Sequence, residues 1–115
     1  MAKGIPALPV LVLCSDDALR DSLVDLLVTD GRRAITEPRP RSQDHGVVVA
    51  ACDAWPPGWS LARLRATFRR VPCLVLSGSP LGGDFAVVQM QRGYFVQLPA
   101  VPAEILGLVA ELSGA

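Results

Sequence analysis

Four short apolar runs constrain this chain more than any other feature: residues 10–13 (Val10-Leu11-Val12-Leu13), 47–52, 73–76 and 94–97. The first is continuous rather than alternating, as in a strand buried on both faces. Helical patterns lie between the runs. Ser15, Asp16 and Asp17 offer caps for a helix in which Leu19, Leu23, Leu26 and Leu27 recur at helical spacing until Gly31 stops it. A second helix is expected over 60–70 with Leu61, Leu64 and Phe68 facing inward, a weak one over 84–92, and a last one from Pro102. Ala34-Ile35-Thr36 makes a short second strand that Glu37-Pro38-Arg39-Pro40-Arg41 cannot continue, because proline lacks a ladder donor. No helix is visible between there and Val47. Strands alternating with helices imply right-handed crossovers and a parallel sheet covered on both faces, with sites at the carboxyl ends of the strands. Asp53 and Ser77 belong at that edge.

At 115 residues the chain is read as one domain with a single core. Half its residues are hydrophobic, which hints that a partner covers some apolar surface. Eleven basic and eleven acidic residues cancel, so no net field collects nucleic acid or an anionic membrane. No apolar stretch approaches the roughly 20 residues of a membrane span, and Met1-Ala2-Lys3-Gly4-Ile5-Pro6 lacks the apolar segment of a signal peptide. The expected location is the cytoplasm. Cys14, Cys52 and Cys73 cannot all pair and form no CxxC pattern, so they are read as small core residues. A redox or metal pair of Cys14 with Cys52 is the alternative. Arg63, Arg65, Arg69 and Arg70 sit on the outer side of the second helix, as a solvated face or else a docking patch. His45 has no ligand partner at fixed spacing and is assigned to a loop.

In order and spacing, the landmarks resemble the receiver domain of bacterial two-component response regulators (the CheY-like superfamily) over almost the whole chain. Val12-Leu13-Cys14-Ser15-Asp16-Asp17 is similar to the first strand and acidic turn of that family. Asp53, followed by Pro57 and Gly58, is similar to the phosphoacceptor and its proline turn. Ser77-Gly78 matches the hydroxyl residue and small neighbour that contact the phosphoryl group; Phe95 takes the switch-aromatic position, and Leu98-Pro99 stands where the family has lysine-proline. The resemblance implies an α/β fold of flavodoxin-like type: a doubly wound five-stranded parallel sheet of order 2-1-3-4-5, here with helix 2 shortened or missing because 37–45 leaves no room for it.

The departures bear on chemistry. The family's first strand ends in two acids that hold magnesium for phosphoryl transfer, an electrostatic task; here those positions read Cys14 and Ser15. The family lysine is replaced by Leu98, which has no charge and no donor. Asp16 and Asp17 serve as helix caps in this reading. A remnant pocket of Cys14, Ser15, Asp16, Ser77 and Leu98 around Asp53 is therefore expected, with Asp53 bonded to Ser77, no catalytic residue, no metal and no cofactor. The implied function is an atypical receiver acting by protein contact, the regulatory part of a transcriptional regulator with an output domain beyond Ala115.

The last helix carries a second stripe, Ala103, Leu106, Gly107 and Ala110, beside its core stripe of Ile105, Leu108, Val109 and Leu112. With the fourth helix and fifth strand it is the expected homodimer face, since receivers commonly dimerise there. Two rivals remain. One is a working phosphoacceptor at Asp53 with magnesium held by Asp16 or Asp17; the other is a small-ligand sensor at the strand-end pocket. A flavin-binding domain is disfavoured, because no Ser/Thr/Gly-rich phosphate loop follows Leu13.

Overall fold

The apolar runs become the central strands of one sheet. In the computed structural model, which describes residues 8–78, 87–90, 93–97 and 101–114, these are β1 (Val10–Leu13), β3 (Val47–Ala51), β4 (Cys73–Ser77) and β6 (Gly93–Gln97). With β2 (Ala34–Ile35) they form five parallel strands in the order β2-β1-β3-β4-β6. This is the flavodoxin-like order that the resemblance implied. Every residue of β1, β3 and β4 is buried, because successive side chains point to opposite faces and both faces are covered.

One face packs Val10, Val12, Cys14, Val49, Ala51, Leu74 and Leu76 against α1 (Asp17–Thr29) and α3 (Pro102–Leu112), through Leu23, Leu27, Ile105 and Val109. The other packs Leu11, Leu13, Val48, Ala50 and Val75 against Leu64 of α2 (Leu61–Thr67) and the adjoining Phe68. Asp16 caps α1 by accepting from the Leu19 N–H at 3.1 Å, and Ser60 caps α2 by accepting from the Arg63 N–H at 3.2 Å. α2 ends three residues earlier than its pattern suggests. Phe68 leaves the helical region, and Pro72 ahead steers Val71 towards extended backbone before β4.

The weak helix expected over 84–92 is corrected by the structure. Val87–Met90 form an edge strand, β5, antiparallel to β6 with Val87 opposite Val96 and Met90 opposite Gly93. Residues 84–86 and 91–92 lie outside the described residues. Branched Val87 and Val88 suit a pleated strand, and a ladder partner along β6 outweighs a weak helical pattern. Gly93 makes the strand possible: it has φ +146°, and a Cβ there would lie 1.8 Å from the Cys73 carbonyl oxygen.

Between β2 and β3 there is only a 3-10 turn, Ser42–Asp44 (η1). His45, just after it, is buried and replaces the missing helix as packing. Its ring lies edge-on to Phe68 at 5.2 Å, and Phe68 in turn stacks on Trp59 at 5.9 Å. Among the described residues no helix is long and apolar enough to cross a membrane.

Candidate functional site

Three strand ends converge at one edge of the sheet. β3 runs out through Cys52 into a turn carrying Asp53, and the Cys52 N–H donates to the Leu76 carbonyl of β4 at 2.7 Å. β1 runs out into Ser15, whose N–H donates to the Ala54 carbonyl at 2.8 Å, so the two exit loops are tied together. β4 runs out into Gly78, whose N–H donates to Asp53 Oδ2 at 2.5 Å. The exposed Asp53 carboxylate is thus held by a backbone amide at the centre of the carboxyl edge. A Cβ on Gly78 would lie 3.2 Å from that oxygen, so the small residue is what lets the strand end approach.

The remaining expected site residues take clear places. Ser77 is buried as the last residue of β4. Asp16 is engaged by its own helix as the α1 cap, and Asp17 pairs with Arg20 at 2.9 Å. Cys14 is buried and its thiol contacts the Asp16 carbonyl at 3.5 Å; burial, chiefly, pushes that thiol up from its ordinary pKa. Cys52 is half-buried, and burial followed by the charge of neighbouring Asp53 pushes it up too. Leu98 lies outside the described residues, so its place relative to Asp53 is not part of this geometry.

Cys14 and Cys52 do not meet as a pair. Cys14 packs with the α1 and α3 side of the sheet, Cys52 with the α2 side, and all three thiols are free. Phe95 is half-buried on the α2 side, opposite Val75 in the β4·β6 ladder. Tyr94, on the other side, donates its hydroxyl to the Glu111 carboxylate and so ties β6 to α3. Of the α3 stripe, Ala103 and Gly107 are exposed, and Leu106 and Ala110 are half-buried.

Magnesium, the cation that such a site would need, takes oxygen ligands in octahedral geometry, most strongly carboxylates. The donors here do not fit it. Cys14 offers a soft protonated thiol, Ser15 a neutral hydroxyl, and Asp16 a carboxylate bonded to an amide. Among the described residues no group of three or more His, Cys, Asp or Glu could hold a metal. Nor does any described cation touch Asp53. A phosphoryl group arriving at this carboxylate would meet one N–H donor and no positive charge among the described residues, whereas phosphoryl transfer depends on charge neutralisation.

Sequence reasoning missed a second cluster, on the α2 side. Arg63 lies over the Trp59 ring, 4.2 Å from its centre, and donates to the Gly58 carbonyl at 2.8 Å. Arg63, Trp59, Phe68 and His45 form a contiguous row in which Trp59 stacks on Phe68 and His45 meets Phe68 edge-on. The helical spacing of Leu64 and Phe68 was visible, but the partners lie in loops that carry no periodic signal.

No protein-family model and no curated protein matches the sequence. Solved structures do match. The receiver domain of a sensor histidine kinase from Pseudomonas aeruginosa, whose structure has a magnesium ion coordinated in its active-site cleft, superimposes with a TM-score of 0.69 at 16% identity, covering 96% of this chain and 100% of that one. A CheY-like response regulator receiver domain protein from Methanospirillum hungatei gives 0.67 at 13% identity, covering 95% of each chain. A response regulator receiver protein from Sinorhizobium medicae gives 0.66 at 18% identity, covering 97% of this chain and 98% of that one. At these identities the likeness is one of architecture. The chain has the fold of a response-regulator receiver domain, with three α-helices and an antiparallel edge strand among the described residues.

Proposed function

We propose that this chain is an atypical receiver domain that acts in signal transduction through protein contacts, without phosphorylation of Asp53 and without catalysing a reaction of its own. One observation carries the reading: the acceptor-like carboxylate is bonded to the Gly78 amide, while the two positions beside it that should be acidic are Cys14 and Ser15, and Asp16 is engaged as a helix cap. The carboxyl edge keeps the outline of a phosphoryl site, and no cation touches Asp53 among the described residues, whereas phosphoryl transfer requires charge neutralisation. In this reading the domain is cytoplasmic and regulates an output domain, such as that of a transcriptional regulator, by offering or withholding a surface. That surface is α3, whose exposed Ala103 and Gly107 permit close approach, together with the β6 side of the sheet; β5 stands where a helix was expected to contribute.

Magnesium titration followed by tryptophan fluorescence tests this directly, because Trp55 lies two residues beyond Asp53. No saturable change is expected at millimolar magnesium. A saturable change that disappears in Asp53→Ala would contradict the reading.

A further inference from the structure

Charge is sorted between the two sides of the sheet. α1 and α3 share one side and carry Asp17, Asp21, Asp25, Glu104 and Glu111 against Arg20, while Arg32, in the turn after α1, pairs with Asp30 and reaches Ser113 at the end of α3. α2 and the turn after it, residues 61–70, cover the other side and carry Arg63, Arg65, Arg69 and Arg70 with no carboxylate. These four arginines are exposed. The ion pairs of the described residues engage only Arg20 and Arg32, so the α2 arginines have no carboxylate partner among them. A sheet with its packed side chains separates the two faces by more than the Debye length of about 8 Å at physiological ionic strength. An approaching surface therefore meets each face separately, although the chain as a whole is neutral.

The basic face is also partly ordered in advance. Arg63 is fixed by the Trp59 ring and the Gly58 carbonyl, and Trp59 by its stack on Phe68. Less side-chain freedom is then lost on binding.

This inference rests on the reading above that α3 is an association surface, and it concerns what lies opposite α3. An isologous contact of α3 with α3 would bring Glu104, Glu111 and the α1 carboxylates of one copy against the same groups of the other, which like-charge repulsion opposes. The complementary surface of this chain is the arginine face. We propose that the acidic α1–α3 face of one copy docks on the α2 arginine face of a second copy, head to tail. Because the two faces lie on opposite sides of the sheet, this contact does not close as a pair and adds further copies, into a ring or an open chain according to the rotation between them.

Sedimentation of the whole chain at low and high salt tests the proposal. Two variants are compared, Arg65→Glu/Arg69→Glu/Arg70→Glu and Asp21→Arg/Asp25→Arg/Glu104→Arg, alone and mixed. The wild-type mass should climb past the dimer with concentration at low salt and return to the monomer at high salt. Each variant alone should stay monomeric, and the equimolar mixture should associate again. Association that survives both reversals but is lost in Gly107→Trp would mean an isologous α3 dimer, overturning the head-to-tail contact while keeping α3 as the interface. A wild type that stays monomeric at every concentration would overturn both. A monomer whose arginine face instead binds a labelled single-stranded oligonucleotide would reassign that face to nucleic acid.

Discussion

His45 shows how one side chain can stand in for an element. Its Nε2 accepts from the Arg39 N–H at 2.9 Å, so the proton sits on Nδ1, which donates to the Ser42 carbonyl at 2.9 Å. The ring is 2% exposed and packs edge-on to Phe68, pinning the segment that replaces a helix. His45→Ala removes both bonds and opens a cavity, so unfolding in urea should show a loss of about 2–4 kcal/mol; a loss below about 0.5 kcal/mol would contradict this role. Cys73 makes a prediction about pH. Burial pushes its thiol up to about 11 from the ordinary 9.0, so the folded state keeps a proton that the unfolded chain releases. The stabilisation is fully present below pH 9 and is lost as pH rises from about 9 to about 11, on the order of 2 kcal/mol. Cys14 and Cys52 shift in the same direction and add to the decline. Cys73→Ala should make stability fall less steeply over that interval, measured by urea unfolding at a series of pH values. At this scale the sequence placed Asp53, Ser77, Cys14 and Ser15 at one edge, because apolar runs mark where strands end. It did not disclose the Gly78 amide as the partner of Asp53, since every residue has an amide and only the fold aims one.

The elements divide by how strongly local pattern and tertiary context agree. β1, β3 and β4 were legible because strands buried on both faces must be apolar throughout, and α1 because its leucine spacing and its Asp16 cap point to the same helix. β5 was not legible. Four residues in a weakly helical stretch were drawn into the sheet by the free edge of β6 and by a glycine at residue 93 that admits close approach. The last helix, α3, lets propensity be separated from packing. A Cβ on Gly107 would meet nothing within 4 Å, so Gly107→Ala should stabilise the folded chain by about 0.5–1 kcal/mol through helix propensity alone. Thermal unfolding would show a higher midpoint. A lower one would mean that the exposed flank of α3 is already filled.

For the molecule as a whole, the architecture of a receiver persists, with three α-helices among the described residues. Solved receivers from three organisms superimpose over nearly their full length, yet among the described residues Asp53 is held by the Gly78 amide, where phosphoryl transfer needs a metal ion and its carboxylates. Net charge, read from composition, described the molecule poorly: a sum of zero conceals mainly acidic helices on one side and a basic helix on the other, a division that appears only when the helices are placed on their faces. The measurement that tests the central claim most directly is the intact mass of the chain after incubation with a small phosphodonor and magnesium, alongside Asp53→Ala. No phosphoryl adduct on either protein is the result this account predicts. An adduct on the wild type that is absent from Asp53→Ala would show a live acceptor and contradict it.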